Sequence, residues 1–338
     1  MNAQTSRISS EIDFERDGKQ TGFLRLPHSV HGSAYGWLAI PVVCIANGPG
    51  PKVLLISGNH GDEYEGQVTL MKLARELEPD GISGRVIIVS AANAPAARVG
   101  RRTSPLDFAG EGNLNRAFPG DANGSPTEMI AHYIVSELLP RADFVFDLHS
   151  GGHSLRYIPS AEAKLGDDGE VNARQSALLK AFGLPISNVG ETFDDRTLAG
   201  TAKRLGITFI GTELGGGGTV SAPILSMAEQ GLRRCLKHIG TLPQGDAVDP
   251  PPATRLVYVG GADYFVYAPD DGLFEPYVEL GQMVEGGQAA GAVHFPETPW
   301  QSPVIAHFQR AGLVLCERVG GRVERGDCLF HLATDHKE

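Results

Sequence analysis

The stretch Val53-Leu-Leu-Ile-Ser-Gly-Asn-His-Gly-Asp-Glu63 leads from a short apolar segment directly into a His60-x-x-Glu63 pair. Four consecutive apolar residues followed by a glycine-containing turn are typical of a buried strand that ends in a loop. From Tyr64 to Leu77 the apolar residues recur at helical spacing, which predicts a helix. A buried strand followed by a helix is the repeating unit of α/β folds, and the polar pair lies between the two.

Two further apolar runs are followed by residues that can bind a metal or transfer a proton. Phe144–Leu148 is followed by His149, and Ile207–Thr212 is followed by Glu213. A strand is also predicted at Gly84–Ser90, and helices are predicted at about Ser125–Leu139, Ala173–Phe182, Leu198–Leu205 and Pro223–Ile239. This alternation predicts an α/β fold with a mixed, largely parallel sheet flanked by helices, and ligands bind at the carboxyl ends of such strands.

The residues at these strand ends form a candidate metal site. His60, Glu63 and His149 offer two imidazole nitrogens and one carboxylate, a common ligand set of catalytic zinc, so we predict one Zn2+ per chain. Another divalent ion stays an alternative. Glu213 is predicted to act as general acid/base, and Asp147 either supports His149 or serves the structure. The pattern therefore indicates a zinc hydrolase.

A second group of polar residues lies between the predicted strands. The stretch Asn113-Leu-Asn-Arg-Ala-Phe-Pro119 is preceded by the pair Arg101-Arg102. A planar guanidinium suits bidentate capture of a carboxylate, and an arginine near the metal can stabilise the oxyanion of acyl transfer. These residues are candidates for contacts with an acidic substrate.

The composition changes at the proline-rich segment Gly245–Pro252, which divides the chain into residues 1–244, the linker 245–252 and residues 253–338. The last part is predicted to be a small all-β domain with strands at Thr254–Val259, Tyr264–Ala268, Gly272–Glu275, Ala290–His294, Ala306–Phe308 and Leu313–Cys316. Its turns resemble those of biotinyl and lipoyl carriers, but there is no lysine between Lys237 and Lys337 to carry the cofactor. We expect a lid, a spacer or a contact within a homo-oligomer.

Composition excludes several classes of function. The net charge of −11 over 338 residues argues against a nucleic-acid partner, because such proteins carry clustered lysine and arginine. The four cysteines are scattered without a paired motif, so neither a disulfide framework nor a thiolate metal site is expected. Neither a secretory signal nor an apolar run long enough for a membrane span is recognisable, which predicts a cytoplasmic protein without a membrane partner.

Four motifs, in this order, resemble those of the succinylglutamate desuccinylase/aspartoacylase family, a branch of the zinc carboxypeptidase-like fold. They are G-N-H-G-D-E (Gly58–Glu63), N-L-N-R-A-F-P-G (Asn113–Gly120), D-L-H-S-G-G (Asp147–Gly152) and T-E-L-G-G-G-G (Thr212–Gly218). The resemblance implies hydrolysis of the amide bond of a small-molecule N-acyl amino acid. It also implies that His60, Glu63 and His149 bind zinc, with Glu213 as the acid/base. Asn115 and Arg116 match the pair that holds the substrate α-carboxylate. Arg102 matches the arginine that polarises the scissile carbonyl, with its neighbour Arg101 as the alternative.

Within the family, the motifs are most similar to the branch that deacetylates Nα-acetyl-L-2,4-diaminobutyrate in ectoine degradation. The side-chain ammonium of that substrate requires an acidic partner, and Glu191, Asp194 and Asp195 lie in a predicted loop. Desuccinylase, aspartoacylase or carboxypeptidase specificity on the same site is the alternative among enzymes. A non-catalytic, metal-dependent binding module is the alternative from another class of protein.

Overall fold

The computed structural model describes residues 5–108, 111–190, 194–243, 245 and 248–336. In the first part of the chain the strands are β1 (Ser9–Ser10), β2 (Gly18–Pro27), β3 (Trp37–Asn47), β4 (Lys52–Ser57), β5 (Gly84–Val89), β6 (Phe144–His149), β7 (Leu155–Tyr157), β8 (Ser160–Glu162), β9 (Ile186–Asn188) and β10 (Thr208–Glu213). The helices are α1 (Tyr64–Glu76), α2 (Ala94–Val99), α3 (Pro126–Tyr133), α4 (Gly169–Phe182), α5 (Leu198–Arg204) and α6 (Ala222–His238). The predicted α/β class is confirmed.

The centre of the sheet consists of the four parallel strands β5, β4, β6 and β10, in that order. On either side the direction changes, because β3 runs antiparallel to β5 and β8 runs antiparallel to β10. The sheet is therefore mixed as predicted, and beyond β8 it contains two more parallel pairs, β8 with β9 and β9 with β11 (Arg255–Tyr258). Since the four central strands run in one direction, their carboxyl ends lie at one edge of the sheet.

Helices cover both faces of the central strands. On β4, Leu54 and Ile56 belong to one apolar cluster, whereas Val53 and Leu55 belong to a second cluster on the opposite face. The first cluster includes residues of α3 and α5, and the second includes residues of α1, α4 and α6. A strand buried on both faces has no polar positions, which explains the continuous apolar run in the sequence.

Local signals set the helix starts. Ser125 caps α3, and its hydroxyl and the Glu128 carboxylate accept hydrogen bonds from each other's backbone N–H, so the two residues form a capping box. The helix continues as a π-helical turn over Ile134–Leu138. Glu63 precedes α1 as its N-cap residue, but its side chain makes no capping hydrogen bond. The Glu63 carboxylate is thus left for the site described below.

The strands after residue 252 are β11 (Arg255–Tyr258), β12 (Phe265–Tyr267), β13 (Gly272–Pro276), β14 (Met283–Val284), β15 (Ala289–His294), β16 (Val304–His307), β17 (Gly312–Arg318), β18 (Arg322–Val323) and β19 (Cys328–Asp335). Strands β16, β15, β13 and β18 form a separate sheet. The others extend the large sheet, because β11 pairs with β9 and β17 pairs with β7. The division at residues 245–252 stays a prediction. In the described part of the chain, no helix is long and apolar enough to cross a membrane.

Candidate active site

The central strands bring the predicted site residues to one edge of the sheet. His149 is the last residue of β6, Glu213 is the last residue of β10, and the two are register partners. His60 and Glu63 lie in the loop between β4 and α1. The expectation that these residues meet at the carboxyl ends of neighbouring strands is therefore supported by the topology.

Two glycines allow the β4–α1 loop to approach its neighbours closely. Gly58 has a φ of +69°, in the left-handed region, and a Cβ there would lie 2.8 Å from the Cα of Ala91. A Cβ on Gly61 would lie 2.1 Å from the carbonyl carbon of Ala96, in helix α2. Side chains at these two positions would push the loop, and His60 with it, away from the sheet.

Three donor groups converge at the centre of the site. The Nδ1 atom of His60 lies 2.6 Å from Glu63 Oε1, and the Nδ1 atom of His149 lies 2.7 Å from Glu63 Oε2. One ligand atom from each of these residues falls within 4.8 Å of the others, and all three side chains are buried. Two imidazoles and a carboxylate in this arrangement fit zinc, whose catalytic sites use such ligand sets.

The remaining ring nitrogens face oxygen acceptors, as expected for metal-binding histidines. His60 Nε2 lies 3.0 Å from the side-chain oxygen of Asn113, and His149 Nε2 lies 2.9 Å from Asp147 Oδ2. Asn59 donates to both oxygens of Asp147, at 2.8 and 2.9 Å. With Nε2 as the donor, Nδ1 of each histidine is free to bind a metal. Of the two roles considered for Asp147, support of His149 is the one that this contact favours.

Burial and mutual attraction control ionisation in this cluster. Burial opposes the charge on Glu63, but His60 and His149 lower its pKa below the usual range. Burial lowers the pKa of His60. Burial also disfavours the charged form of His149, yet Asp147 and Glu63 raise its pKa well above the ordinary value. The site is therefore strongly anionic around His149, which favours a bound cation.

Glu213 has the properties expected of an acid/base. Among the described residues no hydrogen-bond partner reaches its buried Oε2 atom. Burial, followed by repulsion from Glu63 and Glu162, raises its pKa well above that of an ordinary glutamate. A carboxyl group that ionises closer to neutral pH can both accept and return a proton during a reaction.

The two candidate arginines of the Arg101-Arg102 pair are placed differently. Arg102 donates to Glu63 Oε1 at 3.3 Å with 48% of its side chain exposed, so its guanidinium borders the metal cluster and is reachable by a substrate. Arg101 instead accepts a hydrogen bond from Gly61 N at its carbonyl oxygen, at 2.9 Å. This placement supports the assignment of the polarising role to Arg102, which stays a prediction.

Asn115 and Arg116 lie beside the cluster. Leu198 N, at the start of α5, donates to Asn115 Oδ1 at 3.0 Å, and this bond directs Asn115 Nδ2 towards His149 Nε2, 3.5 Å away. Arg116 keeps 43% of its side chain exposed, and burial together with the neighbouring charge of Arg102 lowers its pKa. Two partly exposed guanidinium groups, those of Arg102 and Arg116, thus lie beside the cluster and suit an anionic ligand.

The loop acids considered for an ammonium group are not equally available. Asp194 pairs with Arg116 at 3.3 Å and with Arg196 at 2.9 Å. Hydrogen bonds from Arg196 lower the pKa of Asp194 to about 2. Its charge is therefore already paired with two arginines. Asp195 is exposed, and Glu191 lies outside the described residues.

Several supporting residues were missed by sequence reasoning. Asn59 and Asn113 received no separate role, although both lie inside the motifs. Ser150 N donates to Glu63 Oε2 at 3.2 Å. Asp62 Oδ2 accepts from His153 N at 3.0 Å and lies 3.2 Å from His153 Nδ1, which links the loop between β4 and α1 to the loop after β6. Their position next to the ligands was the available signal.

Comparison with known proteins adds independent information on this site. The model of the succinylglutamate desuccinylase/aspartoacylase catalytic domain matches residues 49–239, which contain every candidate site residue named above. The chain is also 42% identical, over 329 residues, to the N-alpha-acetyl-L-2,4-diaminobutyric acid deacetylase of Halomonas elongata. That alignment covers 97% of this chain and 95% of the relative.

Solved structures show the same fold over almost the whole chain. The product-bound ectoine utilization protein EutE (DoeB) from Ruegeria pomeroyi has a TM-score of 0.92 at 40% identity, and the match covers 98% of this chain and 100% of that one. A succinylglutamate desuccinylase/aspartoacylase from Rhodobacter sphaeroides has a TM-score of 0.89 at 39% identity, with the same coverage. The similarity extends beyond the catalytic domain into the strands after residue 252.

Proposed function

The chain belongs to the succinylglutamate desuccinylase/aspartoacylase family, and from this premise we propose that it is a zinc-dependent amidohydrolase acting on an N-acyl amino acid. The observation that carries the proposal is the convergence of His60, Glu63 and His149 next to Glu213, whose pKa is raised. The proposed substrate is Nα-acetyl-L-2,4-diaminobutyrate. This choice is supported by the activity named for the Halomonas relative and by the ectoine utilization protein of the same fold.

His60, Glu63 and His149 would hold the zinc ion. When bound there, zinc would supply Lewis acidity that lowers the pKa of water and polarises a carbonyl oxygen. Asn113 and Asp147 hold the two imidazoles by accepting from Nε2, so that Nδ1 faces inward. Other side chains of the protein bind the substrate and transfer the proton.

In the proposed reaction the substrate binds with its α-carboxylate on Arg116 and Asn115. Glu213 accepts a proton from the attacking water, whose oxygen bonds to the acyl carbon. Arg102 donates to the oxyanion that develops on the former carbonyl oxygen. Glu213 then returns the proton to the departing nitrogen as the amide C–N bond breaks, which yields acetate and 2,4-diaminobutyrate.

The raised pKa of Glu213 suits both halves of this cycle. An ordinary glutamate is a weak proton donor at neutral pH because it is almost fully ionised. Burial and the nearby Glu63 shift Glu213 towards the protonated form. We therefore expect Glu213, rather than Asp147 or Glu63, to transfer the proton, since those two carboxylates are bonded to histidines.

The direct test is release of acetate from Nα-acetyl-L-2,4-diaminobutyrate by the purified protein. Nα-acetyl-aspartate and succinyl-glutamate are assayed in parallel, before and after chelation and after zinc is restored. Chelator-sensitive turnover of the first compound alone supports both the mechanism and the substrate. Zinc-dependent turnover of one of the other compounds instead supports the proposed mechanism but shows that the proposed substrate is wrong. Failure to hydrolyse any of the three would contradict the proposed activity and favour a binding module.

A further inference from the structure

Strand β8 adds a carboxylate to the face of the sheet that carries the catalytic residues. Ser160 is the register partner of Glu213, and Glu162 is the partner of Gly211. On the other side of β10, His149 is the partner of Glu213. Because side chains alternate between faces along a strand, Glu162 lies on the same face of the sheet as Glu213 and His149. Its partner on β10 is two residues before Glu213, so Glu162 lies further from the edge that carries the candidate site.

The absence of a side chain at Gly211 lets the Glu162 side chain lie over strand β10. A Cβ at Gly211 would lie 3.2 Å from Glu162 Cγ and 3.4 Å from its Oε1. The Glu162 side chain therefore lies across the position where a larger residue of β10 would stand. Diagonal positions on paired strands are separated by about 7–8 Å, which sets the distance between the Cα atoms of Glu162 and Glu213.

Glu162 is ionised, oriented and accessible. Lys164 Nζ donates to its Oε2 at 3.0 Å, and Asn188 Nδ2 does so at 3.5 Å. Burial disfavours its charge, but Lys164 lowers its pKa below the ordinary value, in contrast to Glu213. Of its side-chain surface, 23% stays accessible. Both hydrogen bonds between described residues engage Oε2, which leaves Oε1 for a ligand.

The strands after residue 252 place a histidine, His331, near Glu162. His331 of β19 stacks on Phe265, with ring centroids 4.3 Å apart, and meets Tyr157 edge-on at 6.1 Å. Both ring nitrogens of His331 are buried without a hydrogen-bond partner in the described chain. Burial lowers its pKa to about 4, so the ring is neutral at pH 7 and does not neutralise the nearby Glu162. Buried ring nitrogens without a partner in the protein are groups to which water or a ligand can bind.

We propose that Glu162 binds the side-chain ammonium of the amino acid that the enzyme releases, and so selects a diamino acid. This inference rests on the proposed function. In 2,4-diaminobutyrate the two nitrogens are separated by three carbon atoms. With the reacting nitrogen of the substrate next to Glu213, the substrate side chain extends along the sheet face towards Glu162. Asp194 is a weaker candidate because Arg196 already donates to both of its oxygens, whereas both bonds to Glu162 between described residues engage Oε2.

The test compares two substrates on two variants. Wild type, Glu162→Gln and the loop control Asp195→Asn are assayed on Nα-acetyl-L-2,4-diaminobutyrate and on Nα-acetyl-L-2-aminobutyrate, which lacks the ammonium group. We expect Glu162→Gln to lower kcat/KM for the diamino substrate by about 10–100-fold, the size of one hydrogen-bonded charge contact. Its kcat/KM for the aminobutyrate should fall much less, by a loss common to both substrates, because the Glu162 charge also acts on Glu213. Asp195→Asn should change neither value.

A second readout does not depend on turnover. The product L-2,4-diaminobutyrate should inhibit Glu162→Gln much less than it inhibits wild type, whereas inhibition by L-2-aminobutyrate should be unchanged. Glu162→Asp keeps the charge and should restore part of the selectivity. Zinc content and circular dichroism establish that each variant is folded.

The outcomes separate the inference from the proposed function. Equal losses on both substrates, or no loss on either, would overturn the role of Glu162 while zinc-dependent deacetylation stands. If only Asp195→Asn lost selectivity for the diamino substrate, the ammonium group would bind to the loop acid Asp195 instead of Glu162. If wild type hydrolyses neither compound in a zinc-dependent way, the proposed function itself fails, and the inference fails with it.

Discussion

Replacing Asp147 by asparagine should weaken zinc binding while the fold persists. Asp147 is buried and accepts three hydrogen bonds, two from Asn59 Nδ2 and one from His149 Nε2. An asparagine of the same shape has one acceptor oxygen, so its NH2 group must face either the Asn59 amide or the His149 N–H. One donor is left unpaired, and His149 loses the charge that makes it more basic.

The expected loss follows from this contact. Removing the outer partner of a metal-binding histidine typically costs about 10–100-fold in metal affinity, which corresponds to about 1.4–2.7 kcal/mol. The dissociation constant is measured by competition with a chromophoric zinc chelator at pH 7. Circular dichroism and thermal unfolding of the zinc-free protein establish that the variant is folded.

Asp62→Asn is the matched control, because it makes the same change at a second buried aspartate of the site loops. The Asp62 carboxylate contacts His153 rather than any of the three proposed ligands. We expect its zinc affinity to stay close to that of wild type. Undiminished zinc affinity in Asp147→Asn, or an equal loss in Asp62→Asn, would refute the reasoning.

Three further substitutions test other parts of the molecule. Glu213→Gln should bind zinc normally but lower kcat by about 10²–10⁴-fold, because the proton transfer is lost; an active variant would remove Glu213 from the mechanism. Arg116→Ala should raise KM at least about tenfold for the substrate acid and little for its α-carboxamide analogue, since only the acid loses a charged hydrogen bond; equal effects on both would contradict a carboxylate anchor. Ser125→Ala should lower the free energy of unfolding by about 1 kcal/mol in urea titrations, because the N-cap bond of α3 is lost. An unchanged unfolding midpoint would show that this capping box adds little stability.

The buried strands and long helices were predictable because their patterns are strong. Strands β4, β6 and β10 are buried on both faces, so each is rich in apolar residues up to the end at which the candidate ligands lie. Helices α1 and α6 have clear apolar periodicity, and α3 begins at a capping box. These signals are local, so the chain reveals them without knowledge of its neighbours.

Short elements were missed for the opposite reason. Strands β7, β8 and β9 have three residues each, too few for any periodicity to be recognised. The eight-residue strand β19 was also missed, and its buried positions do not alternate regularly. Helix α2 has only six residues and contains a proline in its first turn. Such elements are stabilised by the sheet and loops around them rather than by their own propensities.

The sequence by itself determined the candidates for the ligand set and the acid/base, since His60, Glu63, His149 and Glu213 each lie at or after the end of a recognisable strand. Only the tertiary structure decided which residues support and surround them. The contact of Asp147 with His149, the position of Arg102 beside Glu63 and the placement of Glu162 opposite Gly211 all depend on pairing between distant segments. The physical reason is that a strand's burial is encoded in its own residues, whereas register, close approach and the field at a buried carboxylate arise only when separate strands and loops pack together.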